Sequence, residues 1–389
     1  MKLISAHIQN FKGVKEATLT MQQPGEKQPD SLHAVLGDNG SGKTTILQAI
    51  ALTLGLATRR INGMDRFPWY GFVPQRLSTM GRTRVVLQLL LDEEEISTTR
   101  ELFTEWRTHF ERDGAKLVEI GQDTRLTVVF ENGLVKVTDS AGTDARAQLY
   151  GRFYVKQLAR RRPDLKDLFS KVGDVFWYDQ YRNLGMALAT PTTDQVEQQE
   201  QTEQITITSN GTVAPEMRRL ESQTSESWLI GVEQLRRFLQ DWWTYHISGF
   251  KTAGRDFIPE LEQSFERVFP GTRFRGLQPV DTTGAETSPR FFFLLERAGR
   301  VFDIAEMSSG EQAVVPLIYD FVRLNIRRSV VLIDELELHL HPPEQQALLA
   351  ALPKMGPDCQ FIITTHSTFV EGCIPNEQET RLKEGRLCL

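Results

Sequence analysis

The chain has 389 residues, 40% hydrophobic and 25% charged, with a formal net charge of −6, the balance of an ordinary globular protein. An acidic total excludes a surface that is basic all over, so any contact with nucleic acid needs a local patch. Three cysteines, Cys359, Cys373 and Cys388, lack CxxC spacing, which excludes a disulfide framework and suits a reducing cytosol.

The chain opens on MKLISAHIQNFKG, which has no long apolar core of a signal peptide. Alternating apolar residues through Leu3, Ile4, Ile8, Ala17, Leu19 and Leu32–Leu36 predict strands, punctuated by turn residues at Asn10, Gly13 and Pro24-Gly25. At Lys43 the period changes: Ile46, Leu47, Ile50, Ala51 and Leu54 recur at helical spacing. The apolar stretch Ile46 to Ala57 is broken by Gln48 and Thr53 and is too short to span a bilayer. The expectation is a cytoplasmic protein with no membrane partner.

Residues 58–80 read as loop. From 84 to 138 β signals return at Arg84–Leu91, Leu117–Ile120, Leu126–Phe130 and Leu134–Val137, with Asn132-Gly133 predicting a hairpin. Residues 145–171 read as a basic helical stretch, and Val175–Tyr178 as a buried strand. Residues 191–217 are rich in Gln, Thr and acid without Lys or Arg, the composition of a mobile linker. Two helices follow, Glu233–His246 and Arg255–Phe269. The rest alternates: strands Phe291–Arg297 and Val301–Ile304, helix 310–326, strand Val330–Ile333, helix 343–352, strand Phe361–Thr364. That alternation predicts an α/β fold with a mixed, largely parallel sheet, an antiparallel β part at the N-terminus and a helical insertion. The predicted divisions are an N-terminal lobe over 1–145, a helical and linker region over 146–289, and a C-terminal lobe over 290–389.

Gly37-Asp38-Asn39-Gly40-Ser41-Gly42-Lys43-Thr44 matches GxxxxGK[ST], between an apolar strand and a helix, the context that a phosphate-binding loop requires. Glycines let successive N–H groups turn inward to phosphate oxygens, and the helix N-terminus adds positive potential. Lys43 reaches the β- and γ-phosphates in such a loop, Thr44 ligates Mg²⁺, and Thr45 lies beside them. The cofactors expected are therefore ATP and Mg²⁺. Val330–Ile333 delivers Asp334 and Glu335 at the C-terminal edge of a buried strand, where α/β sheets bind ligands. In isolation two solvated acids capping a strand is the plainer account. Beside a phosphate loop, Asp334 suits the metal and Glu335 the general base for water. Ser308, Ser309, Gly310 and Glu311 precede or open a helix, offering a hydroxyl and N–H groups to an anion. His366 follows another apolar strand; a structural histidine is the ordinary reading, and contact with the γ-phosphate and attacking water the functional one.

In this order the motifs resemble the ABC ATPase head, and more narrowly the SMC/RecF/OLD branch, including AAA ATP-binding proteins of bacterial anti-phage systems. The run Asp334-Glu335-Leu336-Glu337-Leu338-His339-Leu340-His341-Pro342 is similar to that branch's D-loop region. The resemblance covers about residues 1–57 and 290–370. It implies a homodimer, or an assembly of dimers, in which the Ser308–Glu311 signature of one subunit closes on the γ-phosphate held by the other. It also implies a phosphate-proximal role for Lys12 in Asn10-Phe11-Lys12, and a metal-side Q-loop glutamine, for which Gln180 is the candidate against a surface amide. Two departures stand out: Met-Ser-Ser-Gly-Glu-Gln replaces the transporter form Leu-Ser-Gly-Gly-Gln, and Pro316 should kink the signature helix. No heptads mark coiled-coil arms; the expectation is that no Toprim nuclease follows His366 and that a separately encoded effector, a nuclease, is needed. Arg160–Arg162, Lys166, Arg218, Arg219, Arg236 and Arg237 are the clusters suited to nucleic acid, although arginine pairs on helices are more often solvated or ion-paired. Trp228, Trp242, Trp243 and Tyr245 read as packing groups. The function implied is an ATP-hydrolysing switch in prokaryotic defence or DNA maintenance; the alternatives are an ATP-dependent scaffold with slow hydrolysis and, less favoured by the signature, a transporter ATPase.

Overall fold

The computed structural model describes residues 1–69, 71–78, 81–110, 120–180, 232–248, 256–279 and 291–382. Its centre is the helix that follows the phosphate loop, α1 (Lys43–Ala57), buried on almost every side. One flank of α1 meets an antiparallel sheet of β1 (Lys2–Phe11), β2 (Val14–Thr20), β4 (Arg84–Leu90), β5 (Arg125–Glu131) and β6 (Leu134–Thr138), in the order β2-β1-β4-β5-β6. The other flank meets a parallel sheet of β3 (Leu32–Leu36), β7 (Val175–Tyr178), β11 (Val330–Ile333), β12 (Gln360–Thr365) and β13 (Glu379–Arg381), ordered β13-β3-β12-β11-β7. A helix between two sheets has no solvent face, and the all-round apolar character of Ile46, Leu47, Ile50, Leu52 and Leu54 follows. Each such side chain contributes about 1.5–3 kcal/mol on burial.

The parallel strands are buried on both faces, so they read as continuous apolar runs rather than alternation. Val35, Val175, Trp177, Val330, Leu332 and Ile362 face α1. Ala34, Phe176, Val331, Ile333 and Phe361 face the opposite layer, built from α4 (Val232–Ser248), α5 (Ile258–Val268), α6 (Ser309–Arg323) and α7 (Pro342–Met355). A three-stranded antiparallel sheet, β8 (Arg273–Pro279), β9 (Phe291–Arg297) and β10 (Arg300–Asp303), joins this layer in the order β10-β9-β8.

The Asn132-Gly133 hairpin forms, with both residues at positive φ (52° and 82°), as a two-residue turn between right-twisted strands requires. Several elements differ from the sequence expectation. Residues 93–110, not assigned from sequence, form α2 (Glu93–Phe110), opened by Asp92, whose carboxylate accepts the Glu95 N–H at 2.8 Å. Of the expected strand at 117–120, residues 117–119 lie outside the described residues and Ile120 belongs to no strand. The basic stretch 145–171 breaks into two 3₁₀ turns around α3 (Gly151–Leu158). Strand β7, within the region read as insertion, is an edge of the parallel sheet beside β11. Strands β8 and β13, unassigned from sequence, close the edges of their sheets. Helix α6 continues through the buried Pro316 as one element.

The basic clusters divide. Arg162 pairs with Glu105 (2.5 Å) and Asp164 (2.7 Å), Arg161 stacks on Phe110, and Arg236 bonds Asp303. Trp242 stacks between Phe257 and Tyr319, at 4.5 and 5.0 Å, which is the packing role expected of it. Residues 191–217, Arg182, Arg218, Arg219, Trp228, Cys388 and the Arg237 side chain lie outside the described residues. No described helix is long and apolar enough to cross a membrane.

The two sheets are tied by one fully buried side chain. Gln360 Oε1 accepts the Leu3 N–H at 2.6 Å, and its Nε2 donates to the carbonyls of Leu3 (2.9 Å) and Asp30 (3.0 Å). Gln360→Leu keeps the volume and strands these backbone groups in the dry interior. Equilibrium denaturation should show an unfolding free energy lower by roughly 2–4 kcal/mol, since each orphaned buried group costs about 1–3; an unchanged midpoint would remove the tie.

Candidate functional site

At the carboxyl ends of β3, β11 and β12, three chain segments deliver polar groups to one place. The first is the loop Gly37–Gly42 with the start of α1. Gly42 caps α1 at φ 96°, in the left-handed region, where a β-carbon is strained. Gly37 has φ 154°, and a β-carbon there would meet Ser41 Oγ at 2.6 Å. The loop therefore wraps tightly enough to exclude side chains from its inner face. Ser41 Oγ is buried and has no hydrogen-bond partner among the described residues, an open donor for an anion inside the loop. Asn39 and Gly40 lie exposed at the loop's tip, and Thr45 is half-buried at the start of the helix.

Lys43 is buried, and its Nζ donates to the carbonyls of Gly37 (2.7 Å) and Asp38 (3.0 Å), with His366 Nδ1 at 3.5 Å. Its ammonium curls back over the loop, the posture from which it can reach a phosphate seated there. Burial lowers its pKa, against the pull of Glu335, Asp334, Glu337 and Asp38. Four acids around one buried ammonium leave the pocket short of positive charge for an anion; a divalent cation makes up that deficit.

The second segment is β11 with the residues after it. Asp334 has no exposed surface and accepts from Thr44 Oγ1 at 2.8 and 3.1 Å. Thr364 Oγ1 in β12 donates to Asp334 Oδ1 at 2.6 Å and accepts the Glu335 N–H at 2.7 Å. Glu335 sits at φ 47°, a conformation unusual for a non-glycine residue and typical of functional turns. The turn follows directly on β11, and Thr364 holds the Glu335 peptide in place. Thr364 escaped sequence reasoning because a threonine in a β-rich run reads simply as a strand former.

The third segment follows β12. His366 is exposed, its backbone N–H donates to Glu337, and Ser367 Oγ donates to Gln345 at 2.5 Å while accepting the Val370 N–H as the cap of α8 (Thr368–Glu371). Lys43, Thr44, Asp334, Glu335 and His366 thus come together. Gln180 lies two residues past β7, whose Tyr178 carbonyl accepts the Asp334 N–H at 2.8 Å, so it stands on the same edge of the sheet. Lys12, at φ 51° in the β1–β2 turn, donates to Gln48 on α1 at 2.9 Å, one turn beyond Thr44. Burial and the neighbouring Arg76 lower its pKa.

The signature residues form the tip of α6. Ser308 caps it, its Oγ accepting the Glu311 N–H at 3.2 Å, while Glu311 Oε2 accepts the Ser308 N–H at 2.9 Å. This reciprocal capping box directs the Glu311 carboxylate to its own backbone and to Arg297 (2.5 Å). A β-carbon on Gly310 would lie 2.2 Å from the His339 carbonyl, so only glycine lets the tip rest on the 339–340 segment.

No group of three or more His, Cys, Asp or Glu among the described residues is arranged to hold a metal. Thr44 Oγ1 and the Asp334 carboxylate are hard oxygen donors already in contact, and Mg²⁺ characteristically takes one or two such ligands with substrate phosphates and water completing its shell. The residues fit that cation.

Several known proteins resemble this chain. A family described as "AAA ATPase domain" matches residues 1–227, and one described as "AAA domain, putative AbiEii toxin, Type IV TA system" matches residues 156–370. The chain is 30% identical over 110 residues to "Retron Vc95 probable ATPase" of Vibrio cholerae serotype O1 biovar El Tor, covering 25% of this chain and 21% of that protein. It is 37% identical over 94 residues to "Retron Ec83 probable ATPase" of Escherichia coli, covering 21% and 17%. These matches span 21% and 17% of the lengths of those relatives. Among solved structures, an SMC head bound to the C-winged helix domain of ScpA aligns over 96% of this chain and 92% of that one, at 14% identity and a TM-score of 0.44. The SMC head domain from Thermotoga maritima aligns over 96% and 92%, at 16% identity and a TM-score of 0.41.

Thr364→Val tests how the site is held. It keeps the β-branched shape and removes the hydroxyl that links Asp334 to the Glu335 peptide. The unfolding free energy should fall by roughly 1–3 kcal/mol, measured by chemical denaturation at neutral pH. A neutral effect would mean that Asp334 is held without β12.

Proposed function

The chain belongs to the AAA ATPase-domain family, and on that footing we propose that it is an ATP-hydrolysing switch that dimerises around two ATP molecules and controls a separately encoded effector, a nuclease, in prokaryotic defence or DNA maintenance. The observation that carries this reading is the contact between Thr44 and Asp334, which joins the phosphate loop to the acid-bearing strand in one constellation with Lys43 and Glu335. The likeness to ATPases named for retrons supports the defence setting.

In this reading the N–H groups of Gly37–Thr44 and the Lys43 ammonium bind the β- and γ-phosphates. Thr44 and Asp334 would hold Mg²⁺, which when bound supplies charge neutralisation on the transferring phosphoryl group. Glu335, turned out of the strand, accepts the proton of the attacking water as its oxygen bonds the γ-phosphorus, while the bond to the β–γ bridging oxygen breaks and ADP leaves. His366, near the Lys43 amine, orients the water and γ-phosphate. The Ser308 hydroxyl and the α6 N-terminus of the second subunit complete the anion's coordination. ATP thereby holds two copies together, and hydrolysis releases them.

Glu335→Gln preserves shape and removes the base. Steady-state phosphate release should fall by roughly 10²–10⁴-fold, while ATP still binds and light scattering detects an ATP-dependent dimer. Turnover equal to wild type would overturn Glu335 as base, and a variant that stays monomeric with saturating ATP would overturn the nucleotide-sandwich reading.

A further inference from the structure

The tip of α6 carries a charge conflict. A helix N-terminus attracts an anion through roughly half a positive charge, yet Glu311 places a full carboxylate on its third residue, in a setting only 7% exposed. A full carboxylate carries more charge than the helix end, so left uncompensated it would repel an approaching phosphate. The conflict is resolved from another element. Arg297, the last residue of β9, donates from Nη1 to Glu311 Oε1 at 2.5 Å, with its guanidinium over the Phe302 ring of β10 at 5.5 Å. The second carboxylate oxygen is occupied by the Ser308 N–H. Both oxygens are thus directed inward, and the cap that points the Ser308 hydroxyl stays closed.

We infer that Arg297 is a positioning residue for nucleotide capture across the dimer: it neutralises Glu311, so that the tip of α6 presents net positive potential and a fixed Ser308 hydroxyl to the terminal phosphate held by a second copy of this chain. The inference rests on the nucleotide-sandwich reading above. It also assigns a role to the three-stranded sheet, whose β9 and β10 form the platform that carries the guanidinium. In this role Arg297 acts through Glu311.

The charge argument separates this role from simple stabilisation. Arg297→Ala leaves Glu311 negative and uncompensated at the tip. Glu311→Gln added to it removes the charge while keeping an acceptor for the Ser308 N–H. Both are built in the Glu335→Gln chain, and dimer formation is followed by light scattering against ATP concentration, with a fluorescent ATP analogue reporting binding to monomer. Arg297→Ala should raise the ATP concentration for half-maximal dimerisation about tenfold, the scale of one charge-assisted hydrogen bond, with monomer binding unchanged. Arg297→Lys should retain most of the response, and Arg297→Ala/Glu311→Gln should recover it. Dimerisation by Arg297→Ala equal to its parent, or no recovery in the double variant, overturns the inference while leaving the sandwich intact. A parent that never dimerises with ATP overturns both.

Discussion

A carboxylate taken wholly out of water costs several kcal/mol unless its oxygens are matched by donors and by opposite charge, and Asp334, with no exposed surface, is such a group. Its matches include the Thr44 hydroxyl at the head of α1, the Thr364 hydroxyl in β12, and the attraction of the Lys43 ammonium. None of these is near Asp334 in sequence. The buried acid therefore fixes the register between the phosphate loop and two strands that arrive hundreds of residues later, and the neighbouring Glu335 inherits its position from that constraint. A Thr364 hydroxyl shared between the Asp334 carboxylate and the Glu335 peptide makes the two acids one mechanical unit.

That unit is only as rigid as the layers around it. Helix α1 is clamped between the antiparallel and parallel sheets, and Gln360 stitches the two sheets by satisfying both backbone groups of Leu3. The burial that makes α1 apolar on all sides also holds its N-terminus still, which matters because anion binding by backbone N–H groups depends on their convergence. The antiparallel sheet thereby contributes to the site through packing.

What could be read from the chain in advance was what depends on local order. The switch from strand to helix period at Lys43 and the apolar strands ending in Asp334-Glu335 and before His366 are written in neighbouring residues. So is the Asn132-Gly133 turn. Groups whose roles arise from distant pairing were silent: Thr364 and Gln360 look like ordinary strand residues, and Arg297 like a solvated terminus of β9. Helix α2 was hidden because Ser97-Thr98-Thr99 weakens its helical signal, although its Asp92 cap and acidic first turn are helix-opening features. Sequence grouped Glu311 with the phosphate-binding residues, as position alone suggests; its carboxylate is occupied by the Ser308 N–H and Arg297.

The two candidate anion-binding ends are also linked within one chain. Gly310 lies against the His339 carbonyl, and from Leu340 a series of tight turns leads back to Glu335, with the Leu340 N–H bonded to the Glu337 carbonyl (2.9 Å) and the Leu338 N–H to the Glu335 carbonyl (3.0 Å). Glu337 in turn accepts the His366 N–H. There is no slack in this path: the contact at Gly310 leaves no room for even a methyl group, and the backbone of Glu335 is already in a conformation that few side chains tolerate. Close-packed segments transmit displacement rather than absorb it. The α6 tip, the Glu335 turn and the His366 peptide are thus joined by one continuous series of contacts.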